Sequence, residues 1–232
     1  MDLFLPVLVR LFDRMRQKGG PRSYLEAFEP AVEQTALGDL NYRWTRGSDW
    51  VLFLGALADF LHEEGSLKAA FESRWQNGFS LKECLESVVV SLREKAESRH
   101  EAGALPRGTR YFLVAPSGGS ACKRWMLFLR WMVRPADGVD LGLFEIPPSS
   151  LVVPLDTHVA RTGRLLGFTQ RKDASWRTAL DLTDALRELN SEDPVGFDFA
   201  LAHLGISGGC KGQKGLIVCQ SCAVHSFCQA PG

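Results

Sequence analysis

Apolar residues recur along most of this chain at intervals of three and four, the spacing that buries one face of a helix. Over residues 3–16, Leu8, Leu11, Phe12 and Met15 keep that spacing until Gly19-Gly20-Pro21 stops the run. Ser48 and Asp49 offer capping side chains ahead of a strongly apolar stretch from Trp50 to Leu61, with Gly65 beyond its end. Helices are also predicted over Leu67–Trp75 and Leu81–Ala96, and residues 101–110, with Gly103, Pro106 and Gly108, read as a connector. Downstream, the pattern predicts helices over Ala121–Val133, Asp156–Leu166 and Asp173–Leu189. A last one runs from Asp193-Pro194, a cap followed by proline, to Gly205. Leu141–Phe144 is a candidate short strand. The expected class is therefore all-α, with a helical lobe over 1–105, a second helical region over 106–205 and a cysteine-rich tail over 206–232.

No apolar run is long enough to span a bilayer, and no basic region precedes an apolar stretch at the N-terminus. The expectation is a cytoplasmic chain with no membrane partner. Net charge is zero, so the molecule as a whole has no general attraction for a polyanion. The distribution changes that picture. Residues 102–136 contain no acid but carry Arg107, Arg110, Lys123, Arg124, Arg130 and Arg134, whereas residues 25–72 are rich in Asp and Glu. Such a bias fits a protein that meets a polyanion on one side. It fits two solvated faces of opposite sign equally well.

Four of the six cysteines fall in the tail, as Cys210-x8-Cys219-x2-Cys222-x5-Cys228. A disulfide framework is not expected in a cytosolic chain. Thiolates are soft ligands, and four so close together suit a tetrahedral zinc ion or a [4Fe–4S] cluster. Spacing alone leaves both open.

Two further segments carry chemistry. Ser117-Gly118-Gly119-Ser120 is a glycine-rich turn leading to Lys123 and Arg124, and such a turn presents amides suited to a phosphate. Val153-Pro154-Leu155-Asp156-Thr157-His158-Val159-Ala160-Arg161 places an aspartate at a helix start, where a plain N-cap contributes roughly 1 kcal/mol.

The order of these features closely resembles the helix–hairpin–helix DNA glycosylase superfamily: a glycine turn with a lysine, then Pro-Leu-Asp-Thr-His-Val-x-Arg, then four cysteines. Its endonuclease III-like members carry a Cys-x6-Cys-x2-Cys-x5-Cys loop around a [4Fe–4S] cluster. The resemblance covers roughly residues 116–228. It implies a two-lobed helical fold and base-excision repair of double-stranded DNA that contains a damaged base or an abasic site. Lys123 would be the nucleophile of a glycosylase with AP-lyase activity, and Asp156 its partner. Gly118, Gly119, Arg124, Arg161 and Lys211 would contact DNA, and Cys210, Cys219, Cys222 and Cys228 would hold the cluster, with zinc as the alternative. A monomer associated with the nucleoid is the corresponding expectation. A non-catalytic, damage-sensing iron–sulfur protein of the same fold is the alternative reading.

This chain departs from the family in three places. Its turn reads Ala115-Pro116-Ser117-Gly118-Gly119 where the family has Leu-Pro-Gly-Val-Gly, and its first cysteine gap is two residues longer. The segment from Lys123 to Asp156 is also longer than in endonuclease III, and in that respect it is similar to the archaeal 8-oxoguanine glycosylase branch.

Overall fold

Every helix end leaves up to four amides or carbonyls without an intrahelical partner, and in a chain of short helices these must be answered by the loops. Prolines open two early helices, where a missing N–H costs nothing. These are α2 (Pro21–Glu26) and α3 (Pro30–Leu37), which follow α1 (Leu5–Gln17). A short antiparallel hairpin, β1 (Asn41–Tyr42) and β2 (Thr45–Arg46), leads into α4 (Gly47–Glu64). Then come α5 (Leu67–Gln76), α6 (Leu81–Ser98) and α7 (Arg107–Phe112). The computed structural model describes residues 5–100, 103–206, 210, 212–215 and 217–231. It is mostly helical and divides into two units, one of 1–77 with 83–114 and the other of 78–82 with 115–232. No described helix is long and apolar enough to cross a membrane.

In the first unit, Leu11, Tyr24, Leu37, Leu40, Val51 and Leu54 form a core packed by α1 to α4. Asp49 fixes its far side. One carboxylate oxygen accepts from the Arg46 amide at 2.8 Å, closing the start of α4, and the other accepts from the amide and hydroxyl of Thr109, each at 3.0 Å. That second pair draws residues 107–112, expected in part as connector, into α7 against α4. The division between units therefore falls after Val114, where the sequence places a boundary at 105.

The second unit contains α8 (Lys123–Val133), α9 (Thr157–Leu165), α10 (Trp176–Leu189) and α11 (Asp198–Ile206). Its core draws Met126 and Leu129 from α8, Val159 from α9, Leu182 and Leu186 from α10, and the extended Leu151–Val153 segment. Leu141–Phe144, a candidate strand by sequence, forms none. The amides of Leu141, Leu143 and Phe144 donate instead to the carbonyls of Trp131 and Met132, at 2.6–2.8 Å, and so satisfy the end of α8. Arg130 and Arg134, counted in the basic segment, turn inward. Arg130 pairs with Asp140 at 2.7 Å and Asp198 at 3.0 Å, while Arg134 pairs with Asp140 and with Asp193. The acids that answer them lie outside the acid-free stretch, so the count of charges along the sequence overstates the basic surface.

The start of α10 braces the glycine turn. Ser175 caps the helix through the Thr178 amide, and the Trp176 amide donates to Gly119 O at 2.8 Å. Asp173 holds this start in place. Hydrogen bonds from the Ser175 hydroxyl, the Thr178 hydroxyl and the Ser175 amide lower its carboxyl to about 2.

A Cβ at Gly108 would lie 2.2 Å from Asp49 Oδ2, so Gly108→Ala must dislodge the carboxylate that joins α4 to α7. It should destabilise the chain by about 3 kcal/mol in urea unfolding, whereas Gly118→Ala, whose Cβ meets nothing, should stay within about 0.5 kcal/mol of the parent. Asp173 is depressed in the folded state, so its contribution is complete above the ordinary carboxylate range near pH 4 and is lost as pH falls toward 2. Carboxyl NMR titration should place its midpoint near 2, and a midpoint near 4 would contradict the brace.

Candidate functional site

The approach to Lys123 is unusual in its backbone. Pro116–Gly118 makes one 3-10 turn, and Gly119 follows with φ 77°. Cys122 then takes a left-handed conformation, φ 48° and ψ 39°, which strains any residue with a Cβ. Ala121 and Cys122 are both buried, and tucking them inward leaves the chain pointing outward at Lys123. The helix therefore starts at Lys123 and not at Ala121 as its apolar pattern suggests. Strain held beside a chemically capable side chain is characteristic of functional sites. Added Cβ atoms at Gly118 or Gly119 would meet nothing within 4 Å, so the turn presents bare backbone.

Asp156 arrives from the other side of the core, at the end of the extended apolar strip and at the N-cap of α9. Its Oδ1 accepts from the amides of His158 and Val159, each at 2.8 Å. Its Oδ2 lies 3.4 Å from Lys123 Nζ, 33 residues away in sequence. The cap needs only one oxygen, and asparagine or serine would serve it about as well. The second oxygen is the one that requires a carboxylate. The lysine side chain is 47% exposed, and ion pairs this open contribute only about 0–1 kcal/mol. Stability alone gives the chain little reason to hold the two groups together.

The remaining expected residues fall in different places. Arg124 is exposed beside Lys123 at the start of α8. Arg161 is partly buried: its Nη2 donates to Gly205 O at 2.9 Å, tying α9 to the end of α11, and its Nε is buried without a partner. Lys211 lies outside the described residues. Among aromatics near Lys123, Phe128 packs edge-on against Trp125 and Phe144, while Trp131 is exposed. Trp125 Nε1 is a buried donor with no partner.

Cys210, Cys219, Cys222 and Cys228 are unbridged and all line one cavity of about 310 Å³. Its other walls are largely apolar, with Leu165 and Leu166 from the end of α9 and Leu204 from α11. The Gln229 amide donates to Leu165 O at 2.6 Å, which docks the cysteine segment on α9. The Ala230 amide points at Cys228 Sγ, 3.4 Å away. Among the described residues no three His, Cys, Asp or Glu side chains stand close enough to hold a single metal ion. As donors, the four thiols suit a soft metal centre.

Sequence reasoning misses two parts of this arrangement. The brace from α10 has a local signal in the Asp173-x-Ser175 cap. The left-handed Cys122 has none, since nothing in a cysteine's own preferences favours that conformation.

No curated protein and no solved structure matches the chain. A family model described as "Protein of unknown function (DUF2400)" matches residues 2–207, which include Lys123 and Asp156 and stop short of the four cysteines. The chain belongs to that family.

Proposed function

We propose that the chain is a DNA glycosylase with AP-lyase activity on a two-lobed helix–hairpin–helix fold, acting on duplex DNA that carries a damaged base or an abasic site. The observation that carries this reading is the 3.4 Å approach of Lys123 Nζ to Asp156 Oδ2, made by the oxygen the helix cap does not use. The open backbone at Gly118 and Gly119 and the exposed Arg124 supply phosphate contacts beside it.

The target base cannot be reached in the stack and must be turned out of the duplex. Attack requires the neutral amine, so Lys123 first gives up a proton to solvent, to which its side chain is open. Lys123 Nζ then bonds to C1′ as the bond from C1′ to the base breaks, and the base leaves with the electron pair and takes up a proton. The Asp156 carboxylate stabilises the positive charge that develops on the sugar. Ring opening converts the adduct to a Schiff base. Loss of a C2′ proton then expels the 3′ phosphate by β-elimination, and water releases Lys123.

Cys210, Cys219, Cys222 and Cys228 would hold a [4Fe–4S] cluster. A tetrahedral zinc ion, at about 2.3 Å from each sulfur, would require the sulfurs to draw within roughly 3.8 Å of one another. The four thiols line one cavity, and as soft donors they suit either group; the resemblance in spacing of the last three cysteines favours the cluster. Such a cluster would supply a rigid cross-link for the tail, and no step above passes through it.

Borohydride should trap a covalent adduct on a duplex bearing an abasic site, 8-oxoguanine or thymine glycol. Lys123→Ala should abolish it. Asp156→Asn, which keeps the cap, should slow trapping by about 100-fold or more. A folded protein that binds these duplexes but traps on none would leave the non-catalytic, damage-sensing role. In a separate measurement, protein purified without oxygen should be brown with about four irons per chain, and Cys219→Ser should lose most of that iron. A colourless, zinc-bearing protein would sink the cluster assignment.

A further inference from the structure

The β1–β2 hairpin carries features that neither the fold nor the Lys123 site explains. Its register pairs Asn41 with Arg46 and Tyr42 with Thr45, which leaves Arg43 and Trp44 as a two-residue loop. Loops of this length strongly favour Asn-Gly or Gly-rich pairs, because they call for positive φ. Here an arginine sits at φ 55°, and the tryptophan after it is 44% exposed. A strained arginine and a large exposed aromatic at a hairpin tip both run against what folding alone selects.

The surroundings define what this tip would hold. The guanidinium of Arg43 lies 6.0 Å from the Trp44 ring centroid. Arg107, the first residue of α7, brings its guanidinium to 5.7 Å. Tyr111, also on α7, meets the indole edge-on, with centroids 5.1 Å apart and planes at 86°. The T-shaped contact holds the ring in place, and the residue stays 44% exposed. Arg110 follows Arg107 by one turn of α7 and is also exposed. Residues 40–48 contain no acid, and neither do residues 103–114.

An apolar protein partner would want an apolar surround, whereas two guanidinium groups lie over this ring, and a stacking base would displace them toward its own phosphates. A flat aromatic with an anionic backbone fits both features at once, since every base has a π-face and every linkage a phosphate. We propose that Trp44, with Arg43 and Arg107, forms a single-stranded nucleic-acid platform on which an unpaired base stacks while the arginines meet the flanking phosphates. The platform lies wholly within the first unit and does not depend on the chemistry assigned to Lys123.

Fluorescence anisotropy of the full chain with short, undamaged single-stranded DNA and RNA oligonucleotides tests this. Trp44→Ala should weaken binding about tenfold and leave the salt dependence unchanged, whereas Trp44→Phe should keep most of the affinity. Arg43→Gln with Arg107→Gln should instead flatten the slope of log affinity against log salt, by roughly 0.7 for each phosphate that is no longer neutralised. Dependence on Trp44 with either oligonucleotide supports the platform, and the preferred sugar identifies its source. Unchanged binding by a folded Trp44→Ala protein would overturn it, as would equal competition by polyglutamate, which has charge but no bases. Because the probe carries no lesion, failure here and failure of the trapping experiment are separate results.

Discussion

The carboxylate of Asp156 has two oxygens with two duties, and much of the second unit is arranged to keep them apart. Oδ1 closes the start of α9 through two amides, which fixes the rotamer, and Oδ2 is thereby aimed at Lys123. A carboxylate on a free loop would need side-chain entropy to be spent on the same placement. At a helix N-cap that cost is met by the fold. The chemistry assigned to the site therefore rests on a capping interaction that most helices would make with any small polar residue.

That makes α9 the beam on which the unit is built, and its packing is correspondingly tight. A Cβ at Gly205 of α11 would lie 2.8 Å from His158 Cβ, so these helices touch through a residue that has no side chain. On another face, Gly163 sits against Leu182 of α10. Arg161 ties α9 to Gly205 O, and the Gln229 amide takes the carbonyl of Leu165 at the far end. Nine residues span roughly 13 Å, so the group facing Lys123 and the segment bearing the cysteines are joined by one short rigid element. The tail thus gains its anchor from the same helix that positions Asp156.

The helices with strong apolar period and recognisable caps were legible in the sequence: α4, α5, α6, α9 and α10 lie where Trp50–Leu61, Leu67–Trp75, Leu81–Ala96, Asp156–Leu166 and Asp173–Leu189 place them, within a few residues. What escaped were elements created by a distant partner. Arg107–Phe112 is helical because Asp49 answers Thr109 from 60 residues away, and Leu141–Phe144 stays irregular because its amides go to the end of α8. Neither partner is visible in a local window. At the site, Asp156 is legible as a cap, but the helix that carries Lys123 begins after a left-handed Cys122, a conformation that no local preference of cysteine signals.

Charge illustrates the same limit and shows how a molecule of zero net charge can still present basic ground. Acids and bases cancel in the total, yet they do not cancel where they stand. Asp140, Asp193 and Asp198 are taken up by Arg130 and Arg134 inside the second unit, where desolvation makes a lone charge too costly to keep. In the first unit, Asp49 is buried among amides, and Glu33 is buried against Arg14 and Tyr24. Each acid held inside in this way is withdrawn from the surface. Arg43, Arg107, Arg110 and Arg124 are exposed. Because burial sorts the charges, the electrostatics that an approaching polyanion would meet are set by exposure, and neither the total nor a count along the chain measures them.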